Sequence, residues 1–544
     1  MKGKEASHKK ERRFWQGRGP MPAVAVALLA SMNAAPVGAF GIETGNSDIR
    51  MRWDNTIKYS AGWRLESRSD ALTNDINQDD GNRNFDPGLI SNRLDLLSEF
   101  DFSYKNRYGF RLSAAGWYDD VYQQDNDNNS PSTINQTSRP ADQFVKGTKD
   151  VHAGRTEWLD AFVYANWDLG NIRLGRHSIL YGETLFFGAN GIAAAQSPTD
   201  VVKLLSVPSS QFKEIIQPVN QVSGEVQLTD RMSLGAYYQF EFRKNRIPGV
   251  GSYFSGADVL GPGTERFLFA PGIGVPRISD MDAKDSGQGG VQIRWRPEGM
   301  DTEFGFYAAR YHDKNFQVYL RPVAGDLQMV YAEGIRTFGV SFSTEVSGFN
   351  VAGEFSVRRN TPLVSGPVVD LSADGSADNN HNAKYAIGNS AHANLSGIFF
   401  LDRTDFWDNA SILAEVAWNR RTGITKNKEE LDPNTSRDAW ATRMVFEPQW
   451  FQVAPGLDLS APIGLGYNLK GNSSVVQLFN GGVEYGGDLS IGVKGTYQQT
   501  WRGGITYTHY LGSPGNALGS DANLTFKQNY ADRDFIAITV QRTF

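Results

Sequence analysis

His392, Asn394 and Ser396 are the nearest this chain comes to a catalytic set. A hydroxyl activated by an imidazole that an amide orients is the arrangement of an acyl hydrolase. Alternate residues of one strand point the same way, however, so three of them make a row and cannot orient one another. The spacing reads as polarity along one strand face. His177 stands alone, and a lone histidine is a structural hydrogen-bonding group unless something pairs with it. Asp125, Asp127 and Asn129 place oxygen ligands at alternate positions like the start of a calcium loop, and Asp75, Asn77 and Asp79 do the same. The first run has Ser130 where such a loop needs glycine, and no glutamate follows at its twelfth position. The chain has no cysteine, which removes thiol nucleophiles, thiolate metal sites and disulfides together and suits an oxidising compartment. No enzymatic activity, cofactor or metal is expected.

What the chain does offer is charge and aromatic surface placed along strands. Met51, Trp53, Ile57, Tyr59, Ala61, Trp63 and Leu65 share one parity, with Asn55 the only polar intruder. Arg50, Arg52, Asp54, Thr56, Lys58, Ser60, Arg64 and Glu66 share the other. Successive strand residues face opposite sides, so this is a long strand with one apolar and one charged face. The alternation recurs at about 93–104, 109–118, 157–169, 172–181, 220–229, 232–243, 288–296, 302–312, 335–346, 349–358, 391–401, 409–419, 439–450, 456–467, 488–498, 501–511 and 533–544. Glu99, Asp101, Glu225, Glu241, Arg294, Glu354, Arg358 and Glu415 fall on the polar parity. A charged residue at mid-membrane on a lipid-facing parity would cost about 2–4 kcal/mol. Short turns alternate with long loops at 66–92, 119–156, 244–287, 313–334, 359–390, 420–438, 468–487 and 512–532. That rhythm is the bacterial outer-membrane arrangement, with the short turns periplasmic. The expected fold is therefore all-β: a transmembrane antiparallel β-barrel of about eighteen strands, sixteen if one hairpin is misread. A soluble β-sandwich would instead bury the apolar parity.

The ends support export. Lys2, Lys4, Lys9, Lys10, Arg12, Arg13 and Arg18 precede an apolar run from Met21 to Met32 and the small residues Val37-Gly38-Ala39. Residues 1–39 are expected to be a cleaved signal peptide and 40–544 the barrel. Removing seven basic and two acidic residues takes the formal charge from −6 to −11, which argues against a nucleic-acid partner. No other stretch approaches eighteen consecutive apolar residues, so no spanning helix is expected in the mature chain. Ile536, Ile538, Val540 and Phe544 share one face. This resembles the terminal strand that the barrel-assembly machinery recognises in Gram-negative outer-membrane proteins, although Arg542 departs from the usual apolar choice.

The run Ile172-Arg173-Leu174-Gly175-Arg176-His177-Ser178-Ile179-Leu180-Tyr181-Gly182-Glu183, with Phe186-Phe187-Gly188 and Ser197-Pro198-Thr199-Asp200-Val201, resembles a large proteobacterial outer-membrane family of unknown function, similar to porins. The resemblance implies an outer-membrane barrel over the whole mature chain and supplies no substrate.

Read for itself, the same region breaks its strand pattern at Gly175, which suggests a bulge re-aiming Arg176 and His177 near the pore wall. The segment 182–219 holds no good strand. Ser197-Pro198 reads as a helix start, and Phe212 to Ile216 as a second short amphipathic piece. A loop this long is usually functional, and this one is expected to fold into the barrel and narrow it. Candidate pore-lining and constriction residues are Arg173, Arg176, His177, Glu183, Asp200, Lys203, Glu225, Glu241, Arg294, Glu354 and Arg358.

Three functions compete. The first is passage of small solutes through a barrel with a transverse field. The second is uptake of hydrophobic or aromatic compounds by way of a greasy entry formed by Tyr181, Phe186, Phe187 and Phe212 and by Tyr253-Phe254 in the loop 244–287. The third is a plugged barrel that only displays loops for surface interaction or envelope assembly. Transport is the expectation. The expected partners are outer-membrane lipid, the assembly machinery through the strand ending at Phe544, and an unidentified small solute.

Overall fold

The computed structural model describes residues 40–207, 212–372 and 375–544; the expected signal segment 1–39 lies outside them. Among the described residues the barrel strands are β1 (Ile49–Arg64), β2 (Gly88–Tyr104), β3 (Tyr108–Asp119), β4 (Gly154–Trp167), β5 (Gly170–His177), β6 (Val219–Thr229), β7 (Met232–Gln239), β8 (Gln288–Trp295) and β9 (Glu303–Tyr311). They continue with β10 (Ile335–Val346), β11 (Phe349–Pro362), β12 (Ile387–Leu401), β13 (Asn409–Lys426), β14 (Asp438–Ala454), β15 (Leu457–Ser460 with Ile463–Lys470), β16 (Gly487–Tyr497), β17 (Trp501–Leu511) and β18 (Phe535–Thr543). Every neighbour is antiparallel, and β18 returns to β1 with Thr543 opposite Thr56 and Phe535 opposite Arg64. The ring is closed at eighteen strands, so no row of backbone groups is left unpaired. The three-residue strand Phe40–Ile42 pairs with Met51–Trp53, beside the part of β1 that β18 does not reach.

Alternation places the side chains. Trp53, Leu96, Trp158, Leu174, Phe306, Phe338, Phe355, Leu395 and Ile505 are exposed on the outer surface, the pattern of a face that meets hydrocarbon. Glu99, Ser223, Gln239, Glu354, Arg358, His392, Asn394 and Glu415 are buried on the inner one. Tight turns join several hairpins, three residues (Lys105 to Arg107) between β2 and β3 and two (Ser347 and Gly348) between β10 and β11. Lys105 and Asn106 both adopt positive φ (53° and 54°), as do Ser347 and Gly348 (53° and 82°), the backbone that matches strand twist.

Several strands outrun the alternation that announces them. β2 begins at Gly88, β11 reaches Pro362, β12 begins at Ile387 and β13 runs to Lys426. Their extensions stand above the apolar belt, where no hydrocarbon selects for alternating side chains. The bulge expected at Gly175 is absent: β5 pairs with β4 and β6 without a register shift. Gly175 is there for its φ of +124° and because a Cβ would sit 2.4 Å from the Ala161 carbonyl oxygen.

The long loops carry structure of their own. Hairpins form at Arg266–Ala270 with Ile273–Pro276 and at Gln317–Arg321 with Asp326–Val330. Phe85, Val121, Tyr122, Phe144, Tyr253 and Phe254 from three loops pack with Phe535 into one apolar cluster over the barrel mouth. Tyr253 and Phe254, read from sequence as part of a greasy way in, are thus 1% and 4% exposed core residues.

Candidate functional site

The chain leaves β5 at His177 and regains the wall at Val219, and the segment between them is hydrogen-bonded to side chains of the barrel strands. Its first half is held by two carboxylates on distant strands. Glu354 of β11 accepts the backbone N–H of Glu183 at 2.7 Å and that of Ile192 at 2.8 Å. Gly182 and Gly191 flank the same carboxylate, and a Cβ on either would collide with it. Two glycines let the backbone close on one acid. Glu415 of β13 accepts the N–H groups of Leu185, Phe186 and Phe187 at 3.1, 2.5 and 3.2 Å. Its other oxygen accepts from Asn394 at 2.7 Å. Arg358 of β11 donates to the carbonyls of Ala189 and Gly191 at 2.9 and 2.8 Å. A buried loop must satisfy its own backbone groups, and these wall residues do so.

His392 sits at the same contact. Its Nε2 lies 2.7 Å from Ser390 Oγ and its Nδ1 3.0 Å from Asn190 Oδ1. Hydroxyl, imidazole and amide follow in the order of a catalytic relay, with Ser390 rather than Ser396 as the hydroxyl. All three residues are about 1% exposed, sealed between β12 and the inserted segment, so the relay works as a clasp. Asn190 also donates to Asn394 at 2.9 Å and to the Trp418 carbonyl at 3.1 Å. Ser396 donates to the Glu183 and Ala352 carbonyls.

The second half returns to the opposite wall. Its helix, Val201–Ser206, starts three residues later than the Ser197-Pro198 signal suggests. Asp200 is the cap: its Oδ1 accepts the Lys203 N–H at 3.0 Å, and its Oδ2 pairs with Arg246 at 2.6 Å. Lys203 lies 3.7 Å from Glu157. Arg93, Lys203 and Arg246 stand 4.8, 5.1 and 5.6 Å from the Trp117 ring. Lys58 of β1 meets Glu214 at 3.1 Å, and Lys213 pairs with Glu99 of β2.

The remaining candidates distribute unevenly. Glu183 and Arg294 pair at 2.9 Å, and Arg294 also reaches Glu303 at 2.5 Å. Glu225 accepts from Ser233 at 2.7 Å. Arg173 is exposed on the inner parity, 5.9 Å from the Phe162 ring. His177 is buried, its Nε2 2.7 Å from Ser223 Oγ. Arg176 departs from the expectation. With no bulge to re-aim it, it keeps the outward parity of Ile172 and Leu174 and pairs with Glu241 at the rim, 3.6 Å away. Glu241 is therefore drawn to the rim as well, where it accepts the Asn220 N–H.

Of the aromatic candidates, Tyr181 packs on Tyr237 and Tyr307, while Phe187 is buried against Phe479. Phe186 packs partly buried against the same cluster, and the side chain of Phe212 lies outside the described residues. The apolar groups that the segment leaves open are Leu180, Leu185 and Leu204, 39%, 37% and 58% exposed. They were missed because isolated leucines in a loop carry no periodic signal. Glu415, Asn190 and Arg246 were missed as site residues for another reason: their partners lie far along the chain.

The sequence matches, over residues 21–544, the model of a family described as protein of unknown function (DUF1302). No curated protein matches it. Similar solved structures include OccAB3 of Acinetobacter baumannii, at 10% identity and a TM-score of 0.43, covering 91% of this chain and 99% of that one. OccD3 (OpdP) of Pseudomonas aeruginosa matches at 10% identity and 0.40, covering 93% of each chain. The outer membrane channel DcaP of A. baumannii matches at 8% identity and 0.37, covering 93% of this chain and all of that one. At these identities and scores the likenesses say nothing of what this chain does; the barrel rests on its own hydrogen-bonded ladders.

Proposed function

We propose that this chain, which belongs to the DUF1302 family of proteins of unknown function, is a channel in the outer membrane of a Gram-negative bacterium, passing small solutes through a barrel that its segment 182–219 narrows. The observation that carries the reading is the capture of five backbone amides of that segment by Glu354 and Glu415 on the far wall. A loop that merely capped the barrel from outside would have no use for buried carboxylates so deep in the lumen. Ionic pairs at Arg294–Glu183 and the exposed Arg173 put fixed charge beside any solute path. The surrounding lipid and the assembly machinery engaged by the strand ending at Phe544 are the partners this reading entails.

A second reading has its own support. Leu180, just before the inserted segment, and Leu185 and Leu204 within it present apolar surface, which suits hydrophobic or aromatic compounds better than ions. Planar-bilayer recording of the purified protein separates the two. Steady ionic conductance that rises when residues 184–214 are replaced by a short glycine–serine linker supports the narrowed channel. Unchanged conductance in a folded replacement rejects the constriction. Silence in the bilayer with saturable uptake of an aromatic probe supports the second reading.

A further inference from the structure

Above the lumen, loops far apart in sequence bring together three carboxylates for which transport has no use. Asp79 and Asp80 belong to the loop between β1 and β2; Asp258 comes from the loop between β7 and β8. Each offers an oxygen within 4.8 Å of the others, and the residues are 0%, 7% and 1% exposed. Water does not screen them from one another.

The protein supplies little to offset this charge. Arg83 pairs with Asp79 at 2.5 Å. Arg533, the next cation, is turned onto the Tyr253 and Ser255 carbonyls at 2.5 and 2.7 Å. Asp258 Oδ2 accepts the Asp80 N–H at 3.0 Å, and Asp80 accepts from Asn135 N–H and Asn128 Nδ2 at 3.3 and 3.4 Å. Asp79 Oδ2 takes a long bond from Thr133 at 3.4 Å. Asp79 Oδ1 and Asp258 Oδ1 have no hydrogen-bond partner at all. A buried, unpartnered carboxylate oxygen is costly, and two in one cluster ask for a ligand. Three carboxylates share one close guanidinium, that of Arg83.

We propose that Asp79, Asp80 and Asp258 bind one calcium ion, which locks the β1–β2 loop to the β7–β8 loop over the barrel mouth. The donor set is all oxygen, with no imidazole or thiolate, which selects a hard cation. Calcium–oxygen bonds of about 2.3–2.6 Å put opposed ligands about 4.6–5.2 Å apart, a span that accommodates this cluster; magnesium needs a tighter octahedron and keeps its waters. A cavity of about 10 Å³ lies against Asp80 and Asp258, lined also by Asn135, whose buried amide oxygen has no hydrogen-bond partner. The three residues lie outside the inserted segment, so their test needs no conductance reading.

The experiment uses the full detergent-solubilised barrel, its folding checked by heat-modifiable mobility. Calcium should raise the unfolding midpoint progressively with concentration, reversed by chelator and not reproduced by equimolar magnesium. Terbium luminescence should report one site that calcium displaces. Asp258→Asn and Asp80→Asn should each weaken calcium binding by about tenfold or more, while Asp125→Asn, on an exposed acidic stretch, should not. A folded wild-type protein with no calcium-dependent midpoint and no terbium signal overturns the proposal, whatever the variants do. Equal response to magnesium, or equal loss on Asp125→Asn, overturns it too.

Discussion

Single side chains decide whether the inserted segment stays seated. Glu415 is the clearest case, since one carboxylate satisfies three consecutive amides and Asn394 as well. Glu415→Ala leaves those donors buried and unpaired, at about 1–3 kcal/mol for each that water cannot reach. Faster hydrogen exchange at residues 185–192 and noisier conductance are the expected result, and Glu415→Gln should fall between the two. His152 sets a pH dependence outside the membrane. Burial, with Arg93 and Arg246 facing it, holds its imidazole down to about 3. Its Nε2 accepts the Gly249 N–H at 3.1 Å, a bond only the neutral ring can accept. The folded value lies below the unfolded value of about 6.5, so the unfolded chain takes up the proton first and stability falls as pH drops from about 6.5 toward 3. The loss is on the order of a few kcal/mol over that range. Protease sensitivity of the mouth loops should rise across it in the wild type, and His152→Gln should flatten the rise.

At the scale of elements, alternation located all eighteen strands, because hydrocarbon on one side and water on the other impose a period of two on every residue between them. Strand ends were less legible: above the belt both faces meet polar surroundings, so β12 begins at Ile387, four residues before its alternation shows. The sequence also pointed to Gly175, though for the wrong reason. A bulge and a positive φ both call for glycine, and only the ladder register separates them. Gly175→Ala should therefore be destabilised by about 1 kcal/mol or more, through backbone strain and the clash with Ala161, and the heat-modifiable transition should move to lower temperature. If the transition does not move, the positive φ has no energetic consequence.

On the proposed reading the whole molecule has two obstructions in series: the inserted segment held by Glu354 and Glu415, and the loop cluster around Tyr253. Releasing the first by the 184–214 replacement should enlarge the ionic pathway only as far as the mouth allows. The same replacement in calcium-free buffer should therefore conduct more than in calcium, a comparison read directly in planar bilayers. Local alternation, turn residues and the missing cysteines were enough to determine a closed membrane barrel and a long segment without strand character, since each depends on neighbours a few residues apart. What that segment touches was decided only by the closed ring. Asn190 meets His392 across 202 residues, and Asp80 meets Asp258 across 178. Strand tilt and closure choose such partners, and no periodicity along the chain records the choice.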